Sequence, residues 1–151
     1  MLSTVSPTDY NKINTISADI QQILEKISKN KINIQSFLKK EHKIIKKIEA
    51  ALRNKAKNNS QLNSFQINSY RGFCKIYDDK KIITAKCLKQ LQKEISQSFI
   101  QQEILKQAPN FNIIILKLEN IVDIQNIAIS TLKSIINEAE GIYSLLTKSL
   151  P

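Results

Sequence analysis

Residues 118–146, LENIVDIQNIAISTLKSIINEAEGIYSLL, decide the fold of this chain. Their apolar side chains recur every three or four residues, a spacing that places them on one face of a helix. A second apolar row runs beside the first at heptad spacing and comprises Ile115, Val122, Ile129, Ile136 and Tyr143. Because two adjacent rows form a face wider than the stripe of a two-stranded coiled coil, the pattern predicts a helix packed against two or three neighbours.

Apolar residues also recur every three or four positions in the N-terminal third of the chain. A serine, a proline and an acid at positions 6, 7 and 9 form a helix-start signal. No glycine or proline follows until Gly72, so no helix-breaking residue limits the length of a helix in this range. The apolar face of this segment, here called the seam, is interrupted twice. Two polar residues, Asn30 and Glu41, occupy positions of the seam where apolar residues are expected. The pattern leaves open whether residues 8–57 form one helix or two, with a break near Asn30.

Residues 57–72 are rich in asparagine and serine, which predicts a flexible loop. Aromatic and β-branched residues around Arg71-Gly72 leave a hairpin over residues 65–77 as an alternative. The favoured interpretation is a helix that begins near Asp78 or Asp79 and ends before Pro109. Its predicted inward side chains are Ile83, Cys87, Leu88, Leu91, Ile95, Phe99 and Leu105.

These elements predict one all-α domain over residues 1–151, a bundle of three to five long helices with coiled-coil-like packing. A glycine at position 141 interrupts the last helix, which we expect to fray or kink there. The residues expected to carry the helix packing are Ile13, Ile16, Ile20, Ile23, Ile27, Leu118, Ile121, Leu132, Ile135, Ile142 and Leu146.

The composition argues against secretion and against membrane insertion. The first ten residues carry no basic residue and no apolar run, unlike a signal or transit peptide. The longest apolar run, residues 113–116, is interrupted by Lys117 and is too short to span a bilayer. We therefore expect a soluble, intracellular protein without integral membrane insertion.

The residues that usually carry catalysis are scarce. Residues 37–45, FLKKEHKII, resemble the opening helix of hemerythrin-like domains, in which a histidine after an acid supplies an iron ligand. Such iron sites need further histidines on other helices, and His42 is the single histidine of this chain. Two isolated glycines cannot form a phosphate-binding loop, and Cys74 and Cys87 match no metal motif. The sequence predicts no catalytic, cofactor-binding or metal-binding residue, and no enzyme.

Positive charge is concentrated in one part of the chain. Residues 26–57 contain eleven basic residues and two acidic ones, whereas residues 110–151 contain three and four. A codon bias towards lysine would act on both segments, so it does not explain the contrast. Helical spacing places Lys39, Lys43, Lys46, Arg53 and Lys57 opposite the apolar face. Together with the adjacent Lys47 they are the candidates for binding an anion or a partner.

Two functions are compatible with these patterns. The leading hypothesis is a non-enzymatic interaction or assembly protein, a subunit or adaptor of a larger complex that binds a helical or acidic protein partner. The alternative is a lysine-rich nucleic-acid-binding module with non-specific phosphate contacts. With 21 lysines and two arginines, the chain lacks the residue preferred for specific base recognition.

Overall fold

The computed structural model describes residues 7–58, 61–105 and 111–148, and the side chains of residues 18–58, 61–95 and 112–148. It contains three helices: α1 (Pro7–Lys57), α2 (Ser64–Leu105) and α3 (Phe111–Thr147). The described residues form no strand. The predicted all-α helical bundle is therefore confirmed, with three helices. Over the described residues, none of these helices has an apolar segment long enough to cross a membrane.

The N-terminal segment, which the sequence left open as one helix or two, forms the single helix α1 of 51 residues. α1 is continuous through Asn30, because the amide of this residue turns into the bundle and bonds to α3 instead of competing with the helix backbone. α3 is likewise continuous through Gly141 and ends at Thr147, so it does not fray at the glycine.

The predicted start of the second helix was wrong, whereas its end at Leu105 precedes Pro109 as expected. α2 begins at Ser64, so residues 64–72, assigned to the loop, are helical, and the hairpin alternative is excluded. A reciprocal capping box explains the early start. The backbone N–H of Gln66 donates to Oδ1 of Asn63 at 2.7 Å, and the backbone N–H of Asn63 donates to Oε1 of Gln66 at 2.9 Å. These bonds satisfy amides that the first helical turn leaves without partners.

The three helices alternate in direction. Asn30 contacts Gln125 and Lys47 contacts Tyr143, so residue numbers rise in the same direction along α1 and α3. Gln66 instead contacts the carbonyl of Leu145, which lies near the C-terminal end of α3. α3 packs closely against both other helices. Within the described residues, no Cα atom of α1 lies within 8 Å of a Cα atom of α2.

The core is centred on α3. Leu118, Ile121, Leu132, Ile135 and Leu146 are at most 1% exposed. Of the remaining residues expected to carry the packing, Ile20 is buried, and Ile23, Ile27 and Ile142 are half-buried. The side chains of Ile13, Ile16, Phe99 and Leu105 lie outside the described ones. The inner face of α2 was misplaced at one position: Ile83 is 44% exposed, and Thr84 is buried instead. Thr84 tolerates burial because its hydroxyl donates to the carbonyl of Lys80 at 2.9 Å.

Candidate functional site

The basic residues singled out in the sequence lie together on the outer side of α1. We call the following six residues the cationic surface: Lys39, Lys43, Lys46, Lys47, Arg53 and Lys57. All six side chains are exposed, whereas Ile44 and Ile48 of the same stretch are buried. Lys46 pairs with Glu49 at 3.6 Å in an exposed salt bridge. Among the described residues, the other five form no salt bridge. Most of the positive charge of this surface is therefore available to an external anion.

A groove between α1 and α3 extends the cationic surface. We call it the basic groove; it has a volume of about 300 Å³, and its lining residues are Lys40, Lys43, Ile44, Lys47, Ile136 and Glu140. Three lysines, two isoleucines and one glutamate thus line the groove. Lys40 was not among the residues singled out in the sequence, although it lies two turns before Lys47 on the same side of α1.

Two aromatic rings lie under ammonium groups near this groove. The Nζ atoms of Lys40 and Lys133 each lie 5.5 Å from the centroid of the Phe37 ring. Nζ of Lys47 lies 5.9 Å from the centroid of the Tyr143 ring. Each such contact at a partly exposed site contributes about 0.5–1 kcal/mol. The sequence could not reveal these cross-helix contacts, because Lys133 and Tyr143 belong to a helix far along the chain.

A second depression lies on the opposite side of α1, facing α2. We call it the open cleft; it has a volume of about 370 Å³, and its lining residues are Lys31, Ile34, Gln35, Leu38, Leu88, Leu91, Gln92, Ile95 and Gln125. Five of the nine are aliphatic, and no acidic residue lines the cleft within the part of the chain described. The cleft is present because α1 and α2 both pack on α3 but do not approach each other closely.

The first polar interruption of the α1 seam is explained by a contact with α3. Asn30 and Gln125 are 9% and 1% exposed, and Nδ2 of Asn30 donates to Oε1 of Gln125 at 3.2 Å. Nε2 of Gln125 in turn donates to the carbonyl of Ile27 at 3.0 Å. Since an unsatisfied buried amide costs about 1–3 kcal/mol, these bonds are what make the two polar residues acceptable in the core.

The second interruption, Glu41, joins α1 to α2. Its carboxylate is 3% exposed, accepts a hydrogen bond from the Tyr77 hydroxyl at 2.8 Å, and lies 3.1 Å from Nζ of Lys81. Burial raises the pKa of Tyr77, and the hydrogen bond to Glu41 raises it further. The backbones of α1 and α2 do not approach each other closely, but the long side chains of Glu41, Tyr77 and Lys81 connect the two helices.

His42 and the two cysteines belong to no metal-ligand cluster in the part of the chain that the structure describes. His42 is exposed, and no group of three or more metal-ligating side chains occurs among the described residues. Cys87 is buried, and burial raises the pKa of its thiol, which disfavours the nucleophilic thiolate. Cys74 is half-buried against Tyr70, and their hydrogen bond is the main cause that raises the pKa of Tyr70 to about 12.

Comparison with known proteins adds no relative. No family model matches the chain, and no curated protein and no solved structure shows significant similarity to it. The functional argument therefore depends on the geometry of the open cleft and the basic groove.

Proposed function

We propose that this chain is a non-enzymatic assembly subunit that binds a helix of a partner protein in the open cleft. The observation that carries the proposal is the separation of α1 from α2, whose Cα atoms stay more than 8 Å apart throughout the described residues. Helices in direct contact pack with axes about 8–10 Å apart and bring their Cα atoms closer than this. α1 and α2 thus resemble diagonal helices of a four-helix bundle, which are bridged by a helix on each side. α3 occupies one of those two positions. We assign the other to the partner helix, over the part of the gap that Glu41, Tyr77 and Lys81 leave open.

The lining of the cleft indicates the chemistry of the partner helix. Ile34, Leu38 and Leu91 belong to an aliphatic floor that suits an apolar stripe with helical spacing. Lys31 lines the cleft, and Lys89 is exposed next to Leu88. Positive charge at the edges favours a partner helix with aspartate or glutamate on both sides of its apolar stripe.

A photo-cross-linking amino acid at Gln35 tests this proposal directly, because Gln35 is exposed and lines the cleft. Cross-linking is performed in native cells, and the attached peptide is sequenced by mass spectrometry. The same experiment is repeated in K31E/K89E and in K75E/K86E, in which two exposed α2 lysines outside the cleft lining are reversed. The two double variants change the net charge equally and serve as a matched pair.

We expect an acidic amphipathic segment to be attached in the wild type and in K75E/K86E, and to be lost in K31E/K89E. Equal attachment in both variants would show that the edges of the cleft do not select the partner. Attachment of a segment without an apolar stripe at helical spacing would contradict helix docking.

A further inference from the structure

The basic groove provides a second binding surface that is independent of the open cleft, because it lies between α1 and α3. Lys40, Lys43 and Lys47 line it, and all three side chains are exposed. Among the described residues none of the three pairs with a carboxylate, whereas Lys46, Lys80 and Lys81 do. Glu140 is the one acidic residue among the lining residues, so positive charge is in excess there. Solvent ions neutralise that excess, and a polyanion releases them on binding.

The basic residues are spaced closely along the helix. Seven of them face the groove or the adjacent cationic surface between Lys39 and Lys57. At the rise of an α-helix this segment is about 27 Å long, which gives about one positive charge per 4 Å. A nucleic-acid strand in a duplex presents one phosphate per about 3.4 Å. A protein partner would need an acidic residue at nearly every third helical position to match this density.

The aromatic rings at the groove are also suited to a nucleic-acid ligand. Phe37 and Tyr143 are half-buried, and the ammonium groups of Lys40 and Lys47 lie over their rings. A lysine that moves to a phosphate uncovers a ring face against which a sugar of the backbone packs. Lysine also binds phosphate as a point charge, which provides affinity without sequence readout.

From this charge density and these rings we infer that the basic groove and the cationic surface bind the phosphate backbone of a nucleic acid, without sequence specificity. Lys40, Lys43 and Lys47 form the centre of the contact. Lys133 of α3 adds a cation from the other side of the groove, since it shares the Phe37 ring with Lys40.

Fluorescence anisotropy with a labelled duplex of about 20 base pairs and random sequence, at salt concentrations from about 50 to 200 mM, tests the inference. K40Q/K43Q/K47Q is compared with K75Q/K86Q/K93Q, which removes the same charge from exposed positions on α2 outside the cleft lining. Circular dichroism and urea unfolding verify that both variants keep the fold. Unlabelled polyglutamate and vesicles containing phosphatidylserine serve as competitors of the other two anionic classes.

We expect the groove variant to reduce the slope of log K against log salt by about 2.7 and the affinity by up to about 500-fold at 0.1 M salt. The α2 variant is expected to change the slope by less than about one unit, because its lysines make no backbone contact. Equal losses in the two variants would overturn the inference, since total charge would then explain binding. A wild-type slope near zero, or displacement of the duplex by polyglutamate or vesicles at equal charge concentration, would overturn it as well.

Discussion

Removing Lys81 should destabilise the bundle more than neutralising its partner Glu41. Glu41 is 3% exposed, whereas the side chain of Lys81 is 47% exposed. In K81M the carboxylate keeps the Tyr77 hydroxyl but loses its counter-charge, and an uncompensated buried charge costs about 3–5 kcal/mol. We take about 3 kcal/mol for K81M, because the Tyr77 bond remains. In E41Q the ammonium group of Lys81 is hydrated and Tyr77 keeps an acceptor, so the expected cost is about 1–2 kcal/mol.

The double variant E41Q/K81M provides a stricter test, because the effect of E41Q on the free energy of unfolding should change sign in the K81M background. E41Q should destabilise the wild type but stabilise K81M by about 1–2 kcal/mol, since it removes the buried charge that K81M leaves unpaired. Urea unfolding at neutral pH, followed by far-ultraviolet circular dichroism, measures all four proteins. A 3 kcal/mol loss corresponds to a decrease in Tm of about 6–12 °C for a domain of this size.

An exposed ion pair provides the matched control. Lys46 and Glu49 lie 3.6 Å apart, and their side chains are 61% and 47% exposed. K46M should therefore cost less than about 1 kcal/mol, as usual for surface pairs. If K81M costs no more than K46M, or if E41Q fails to rescue K81M, the Glu41 site behaves as a solvated surface pair and the reasoning is refuted.

Three further predictions concern the backbone, the capping box and high pH. Gly141→Ala should raise the free energy of unfolding by about 1 kcal/mol, because no heavy atom lies within 4 Å of an added Cβ and alanine favours the helix; a loss of stability in urea unfolding would contradict this. Gln66→Ala should cost about 1–2 kcal/mol and speed amide hydrogen exchange at the start of α2, because the cap and the 3.0 Å bond to the Leu145 carbonyl are both lost, whereas unchanged exchange would argue against the box. Because the folded-state pKa of Tyr77 lies above the unfolded value of 10.0, its contribution to stability is complete below about pH 10 and is lost as pH rises further. Ultraviolet titration should show that Tyr77→Phe removes a tyrosine that ionises later than an unperturbed one and reduces this alkaline loss. An unchanged profile would assign the loss to other groups.

The buried polar contacts help to explain why the helices are arranged as they are. An apolar seam allows neighbouring helices to slide by a turn, because one isoleucine replaces another at similar energy. The Asn30 and Glu41 contacts do not allow it, since a shift would separate buried polar groups from their partners on α3 and α2. A single polar residue in an apolar seam is known to fix register in this way at some cost in stability.

Much of the helical content could be predicted from the sequence, but one boundary could not. The apolar rows of α3 and the seam of α1 specify helices, because each apolar residue in them lies three or four positions from the next one on the same face. The start of α2 was missed because the stretch from Asn58 to Ser69 was judged by its polar composition. The readable signal was Asn63 followed three residues later by Gln66, the spacing of a capping box.

The candidate site was predicted only in part for the same reason. Helical spacing alone brought Lys39, Lys43 and Lys46 to one side of α1, where the structure also exposes them. Lys133 and Tyr143 approach α1 from another helix, so no local pattern included them. The open cleft was equally inaccessible to sequence reasoning, because it results from the distance between two helices rather than from the composition of either.

The sequence by itself therefore determined the class of the fold, the inner faces of α1 and α3, and the asymmetry of charge. It also marked Asn30 and Glu41 as exceptions without indicating their partners. Only the tertiary structure decided that α3 lies at the centre, that α1 and α2 remain apart, and that each exception is satisfied by a particular side chain. Helical periodicity depends on interactions between residues a few positions apart, whereas the choice of neighbouring helix depends on side chains far apart in sequence that meet only when the whole core packs.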